Sequence, residues 1–163
     1  MALHPEQRQL LEREHRFAEW RADAETAGAQ AVRGFEFKGD ELPGWELIKV
    51  KRNDALDPPR LDTFWRPTGG EADALLGVRI IERPSVAAAR EALLAVLGDV
   101  ESAAIRRRTD LNIGDVVFGH EMMLAFARGN LVVLVRNAGP RVVQVVEAAR
   151  RVDSLVARAG EKR

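Results

Sequence analysis

Met122–Arg128 and Leu131–Asn137 are apolar runs separated only by Gly129-Asn130. Two residues between strand-like runs, one of them glycine, spell a β-hairpin with a primed turn, because Gly and Asn tolerate the positive φ such turns need. Gly139-Pro140 then breaks the second strand. In the following segment, Arg141–Ala159, the residues Val142, Val145, Val146, Ala149, Val152, Val156 and Ala159 fall at three- and four-residue steps, with Arg150, Arg151 and Arg158 opposite them. Valine is only a fair helix former. A solvent-facing strand would have to alternate, however, and Arg141–Arg151 does not, so the period reads as a helix. A hairpin that runs into an amphipathic helix points to an α+β architecture with an antiparallel sheet.

The rest of the chain extends this pattern. Pro5 to about Gln30 reads as one helix, with Pro5 in its first turn and a narrow stripe of Leu10, Phe17 and Ala24, flanked by Leu11 and Ala18. A strand is predicted at Gly34–Lys38, and another at Trp45–Lys51 with Trp45, Leu47 and Lys49 on one face. Asp57-Pro58-Pro59 interrupts, and Leu61–Arg66 and Ala74–Glu82 follow as strands. Ser85 is placed to N-cap a helix whose stripe is Val86, Ala89, Leu93, Val96 and Leu97, stopped by Gly98. Glu101–Thr109 and Val116–Phe118 complete the strands. Leu131–Val135 is apolar on both faces, so both faces should be covered.

The expected fold is thus a mostly antiparallel sheet of about five to seven strands. The two later helices are expected on one face, with the N-terminal helix on the other face or at an interface. Residues 1–30 would form that N-terminal helix and residues 31–163 a single α+β domain. Leu76–Leu97 and Leu131–Val152 align as strand, break and helix at an offset of 55 residues. This is either an internal duplication of a strand–strand–helix unit or a pattern that any two such units share.

Bulk properties narrow the function classes. At 163 residues the chain suits one domain with a substantial core, burying roughly 68–70% of its unfolded surface. Its formal net charge is zero, which argues against a nucleic-acid or anionic-membrane binder while leaving room for a local basic patch. There is no cysteine, which removes disulfides, thiolate metal sites and cysteine nucleophiles. No run approaches the roughly 20 apolar residues that span a bilayer, and Met1–Arg21 is too charged for a signal-peptide core. The expected location is cytoplasmic, unless an export signal has been removed.

No catalytic or cofactor motif stands out. His4 and His15 would lie ~16 Å apart along a helix, too far to share a metal. His120-Glu121 enters the hairpin; it is either a polar turn pair or, less simply, an acid–base pair, although neighbours on a strand face opposite ways. Ser85, Ser102 and Ser154 sit in no nucleophile elbow, and no glycine-rich phosphate loop is present. Metal and cofactor are therefore not expected. Arg106-Arg107-Arg108 is the sharpest polar feature, readable as a charged edge strand or as an anion site, since guanidinium forks fit carboxylate and phosphate. Trp45 starts its strand, Trp65 ends its own and, with Arg66, they could line one end of the sheet as core or as a ligand or partner pocket.

The segments Ile113-Gly114-Asp115-Val116-Val117-Phe118 and Phe126-Ala127-Arg128-Gly129-Asn130-Leu131-Val132-Val133 look like the closing part of small bacterial α+β domains. The overall order of elements resembles the MOG1/PsbP-like α/β/α sandwich, a class of non-catalytic accessory and binding domains, with a cystatin-like helix-on-sheet fold as the alternative. That resemblance implies no particular functional residue. The leading expectation is a non-enzymatic binding or accessory protein that docks a protein partner and self-associates as a homodimer. The second is a small-molecule or anion-binding domain using Trp45, Trp65, Arg66, Arg106, Arg107 and Arg108 in one concave pocket. The third is an enzyme using His120 and Glu121.

Overall fold

The computed structural model describes residues 3–20, 32, 35–55, 58–69, 73–100 and 105–161. Their elements in chain order are α1 (Pro5–Glu14), a 3₁₀ turn (Phe17–Glu19), β1 (Trp45–Asn53), β2 (Arg60–Pro67), β3 (Leu76–Glu82), α2 (Val86–Asp99), β4 (Arg106–Arg107), β5 (Val116–His120), β6 (Met123–Arg128), β7 (Leu131–Asn137) and α3 (Val146–Glu161). The strands form one antiparallel sheet of seven in the order β1-β2-β3-β7-β6-β5-β4. The α+β class and the antiparallel sheet read from the sequence are therefore present.

The hairpin behaves as its residues dictate. Arg128 pairs with Leu131 across a two-residue turn in which Gly129 takes φ 57 and Asn130 stays negative, the type II′ pattern. β7 lies at the centre of the sheet between β3 and β6. Its two faces feed two cores. Leu131, Val133 and Val135 join Leu76, Val78, Ile80, Leu124, Phe126 and Trp65 beneath Val145, Ala149, Val152 and Val156 of the α3 segment. Val132 joins Ala125, Ala127, Val116 and Phe118 beneath Ala89, Leu93, Leu94 and Leu97 of α2, together with Leu11 of α1. Strand residues alternate between these clusters, so the clusters occupy opposite faces.

The expected helix placement is corrected by this arrangement. α2 does not share a face with α3; it shares one with α1, and among the described helices α3 covers the other. The apolar stripe on each helix fits either face, so the stripes could not decide. The sheet offers small Ala125 and Ala127 to α2 and large Leu124 and Phe126 to α3. In the sheet the β2–β3 and β6–β7 hairpins meet at the centre, but the helices that follow them depart to opposite faces.

The N-terminal helix is shorter than its pattern suggested. It ends at Glu14, and Arg16 turns into the left-handed region at φ 52. Leu11, not Leu10, is the buried residue; Leu10 is 55% exposed. The predicted continuation beyond Trp20, including Ala24, lies outside the described residues. Gly98 does not stop α2, which runs to Asp99. It is the point where α1 lies against α2: a Cβ there would come within 2.8 Å of Leu11 Cδ1. Arg8 forks onto Glu91 across the same contact. Ser85 caps α2 as expected, accepting the Ala88 N–H at 3.0 Å. Phe35–Lys38 is irregular rather than a strand, with Gly34 outside the described residues.

Candidate functional site

α1 leans on α2 at one end of the helix, and the gap between this pair and the β4–β5 edge is a cavity of about 800 Å³. Its floor is apolar: Leu11 from α1, Leu97 and Val100 from α2 and its cap, Ile105 before β4, and Phe118 from β5. Phe118 is fully buried and pairs in register with Arg107, so both side chains stand on the helix-covered face of the sheet. Arg106, Arg107 and Thr109 line one side, and Glu14, His15, Arg16 and Glu19 line the other.

Local chain geometry sets these groups. His15 is the C-cap of α1, its N–H bonded to the Leu11 carbonyl at 2.9 Å. The left-handed Arg16 then reverses the chain, so that Trp20 returns under α1 and donates Nε1–H to the His15 carbonyl at 3.0 Å. The His15 and Trp20 rings each lie 5.2 Å from the Phe118 ring. The His15 ring meets Phe118 edge-to-face at 84° and the Trp20 ring meets it tilted at 45°, contacts that add to the burial energy of the rings. Burial pushes the His15 imidazole below its ordinary value, with Glu14 opposing the shift. The imidazole is therefore neutral at pH 7 and offers one donor and one acceptor.

The six residues proposed from sequence for a single pocket do not meet. Trp65 is completely buried in the α3-side core, donating to Thr63 Oγ1 at 2.9 Å and standing edge-on to Phe37. Arg66 is exposed and pairs with Glu46 at 3.2 Å, and Trp45 is half-buried at the rim of the same core. These three lie on β1 and β2, at the opposite edge of the sheet from β4. Arg106 and Arg107 enter the cavity lining, whereas Arg108 turns away onto Asp110 at 2.8 Å. That guanidinium holds the Asp110 carboxyl down at about 2. His120 closes β5 with Nδ1 accepting the Met122 N–H at 3.1 Å; Glu121 is exposed on the turn, and neither lines the cavity. Among the described residues no cluster of three or more metal-ligating side chains occurs.

His15 and Phe118 were not singled out as site residues from sequence. The signal was present for His15, which stands four residues after Leu11 and so on the same helical face. For Phe118 no local signal exists, because its neighbours come from α1 and α2. Comparison with protein-family models, curated proteins and solved structures found no match.

Proposed function

We propose that this is a non-enzymatic binding protein whose ligand is a small amphipathic anion held between α1, α2, β4 and β5. The observation that carries the reading is the pairing of an apolar floor at Leu11, Leu97 and Phe118 with Arg107, whose side chain stands on the same face of the sheet as Phe118. Ligand sites commonly combine an apolar cavity with a few placed polar groups. Here the floor would take the hydrocarbon or ring of the ligand and the Arg107 guanidinium its carboxylate, sulfonate or phosphate. Neutral His15 and Thr109 would add directional hydrogen bonds. A binding role is also what the resemblance to MOG1/PsbP-like domains implies.

The premises for self-association are met within one chain. Leu131–Val135 is covered by α2 on one face and α3 on the other, and Leu11 of α1 is buried against α2. Neither feature requires a second copy.

The test is titration with anilinonaphthalene sulfonate, which joins an aromatic body to one anionic group. Wild-type protein is expected to bind it saturably, with changes in the NMR signals of the His15 and Phe118 rings. Arg107→Gln, which removes a charge-assisted hydrogen bond worth about 1.5–3 kcal/mol, should weaken binding roughly ten- to a hundred-fold without lowering the melting temperature. Unchanged affinity in that variant would refute the assignment.

A further inference from the structure

The far edge of the sheet carries a second feature that the cavity does not use. β1 runs for nine residues and, among the described residues, pairs only with β2 and has no strand on its other edge. Its last six residues are all exposed, with Ile48 at 45% and Val50 at 48%. A long edge with exposed apolar side chains is a ready template for another strand.

A bulge determines what the edge presents. Leu47 pairs with Trp65 and Lys49 with Phe64, so Ile48 is an extra residue and the facing of the strand shifts after it. The sequence pattern had set Lys49 beside Leu47; the bulge instead turns Lys49 and Lys51 to the Phe64–Asp62 face, away from the α3-side core. On that face Asp62 is buried and already held by Arg60 at 3.1 Å and Arg79 at 2.7 Å. Neither lysine has a carboxylate partner among the described residues. The face therefore carries uncompensated positive charge beside that edge, and Val50 presents an apolar side chain on the other face.

The charges on this face select the occupant. Directly opposed residues of an antiparallel pair share a face. Two β1 strands paired antiparallel about Val50 would set Lys49 against Lys51, and like charges directly opposite are destabilising. An incoming strand with acidic residues opposite the lysines and apolar residues opposite Val50 satisfies both faces and the backbone edge together. We propose that β1 accepts an extended segment of a partner protein, alternating acidic and apolar residues, as an added edge strand.

The test uses fluorescence polarisation with a labelled, capped Glu-Val-Glu-Val-Glu-Val-Glu peptide and the unaltered full chain. Saturable binding is expected. The same peptide N-methylated on the amides of one edge keeps its charge but cannot form the ladder from that edge; of the two edge-specific isomers, one should lose binding and the other keep it. The double variant Lys49→Gln/Lys51→Gln, with unchanged circular dichroism, should bind the parent peptide roughly two- to thirty-fold more weakly. Absence of binding, equal binding by both N-methylated isomers, or tighter lysine-dependent binding of oligothymidylate than of the peptide would each overturn the proposal. In the last case the face reads phosphates rather than an acidic strand.

Discussion

The two faces of the sheet are finished differently. On the α3 face, large side chains fill the space: Trp65, Leu124, Phe126 and Leu131 are fully buried, and Val145, Ala149, Val152 and Val156 close over them. Arg128 reaches from β6 to α3 and forks onto Asp153 at 2.6 and 2.9 Å. On the other face small residues, Ala125 and Ala127, let α2 approach, and α1 leans on α2 at Gly98. Helices therefore cover the β7–β6–β5 part of that face, while β1 and β2 keep Lys49, Lys51, Arg60 and a half-buried Phe64 at its far side. Both faces carry a buried core, and the α2 face also holds the cavity and the charged edge. Both proposed binding surfaces lie where helix coverage stops, because side chains there need not pack against a neighbour.

The comparison can be broken most directly on the closed face. Phe126→Ala should cost about 3–5 kcal/mol in urea unfolding, since its surroundings cannot collapse into the cavity left behind. A cost below about 1 kcal/mol would show that the α3 face is not the tightly packed one. Next in size is Asp153→Ala, which strands the half-buried Arg128 guanidinium. The expected loss is about 2–3 kcal/mol, below the range for fully buried pairs because Arg128 keeps some solvent. Recovery of that loss in an Asp153→Ala/Arg128→Met double variant would show that the pair positions α3 more than it stabilises it.

The smallest effect sharpens the view of the open face. The folded-state pKa of His15 is below its ordinary value of 6.5 because burial disfavours the imidazolium. In the window between the two values the unfolded chain binds more protons than the folded one. Stability is therefore fully present above 6.5 and declines as pH falls through that window. His15→Gln should flatten this part of the stability–pH curve, measured by thermal unfolding at a series of pH values. An unaltered curve would place the histidine in solvent and open the cavity wall more widely than described.

The local elements were legible because their signals are local. Gly129-Asn130 between two apolar runs specifies a turn, the Ser85 hydroxyl specifies a helix start, and the period from Val145 to Val156 specifies a helix wherever it packs. Signals with two readings misled. Leu10 and Leu11 are both apolar on α1, and only contact with Gly98 of α2 buries Leu11 rather than Leu10. Likewise, strict alternation would keep Lys49 beside Leu47, and the bulge at Ile48, set by pairing with β2, turned it to the other face.

The candidate site was legible only in part. Arg106 and Arg107 stood out as a basic run, yet their partners in the cavity, His15 and Phe118, lie far away in the chain and on different elements. By itself the sequence determined the element types, the central hairpin and the need to cover β7 on both faces, because hydrophobic period and turn chemistry act over a few residues. Only the tertiary structure decided which helix takes which face, that α1 joins α2, and that Trp65 is core while Arg107 meets a cavity. Those outcomes depend on side-chain volumes matched between segments distant in the chain, and no periodicity within one segment encodes them.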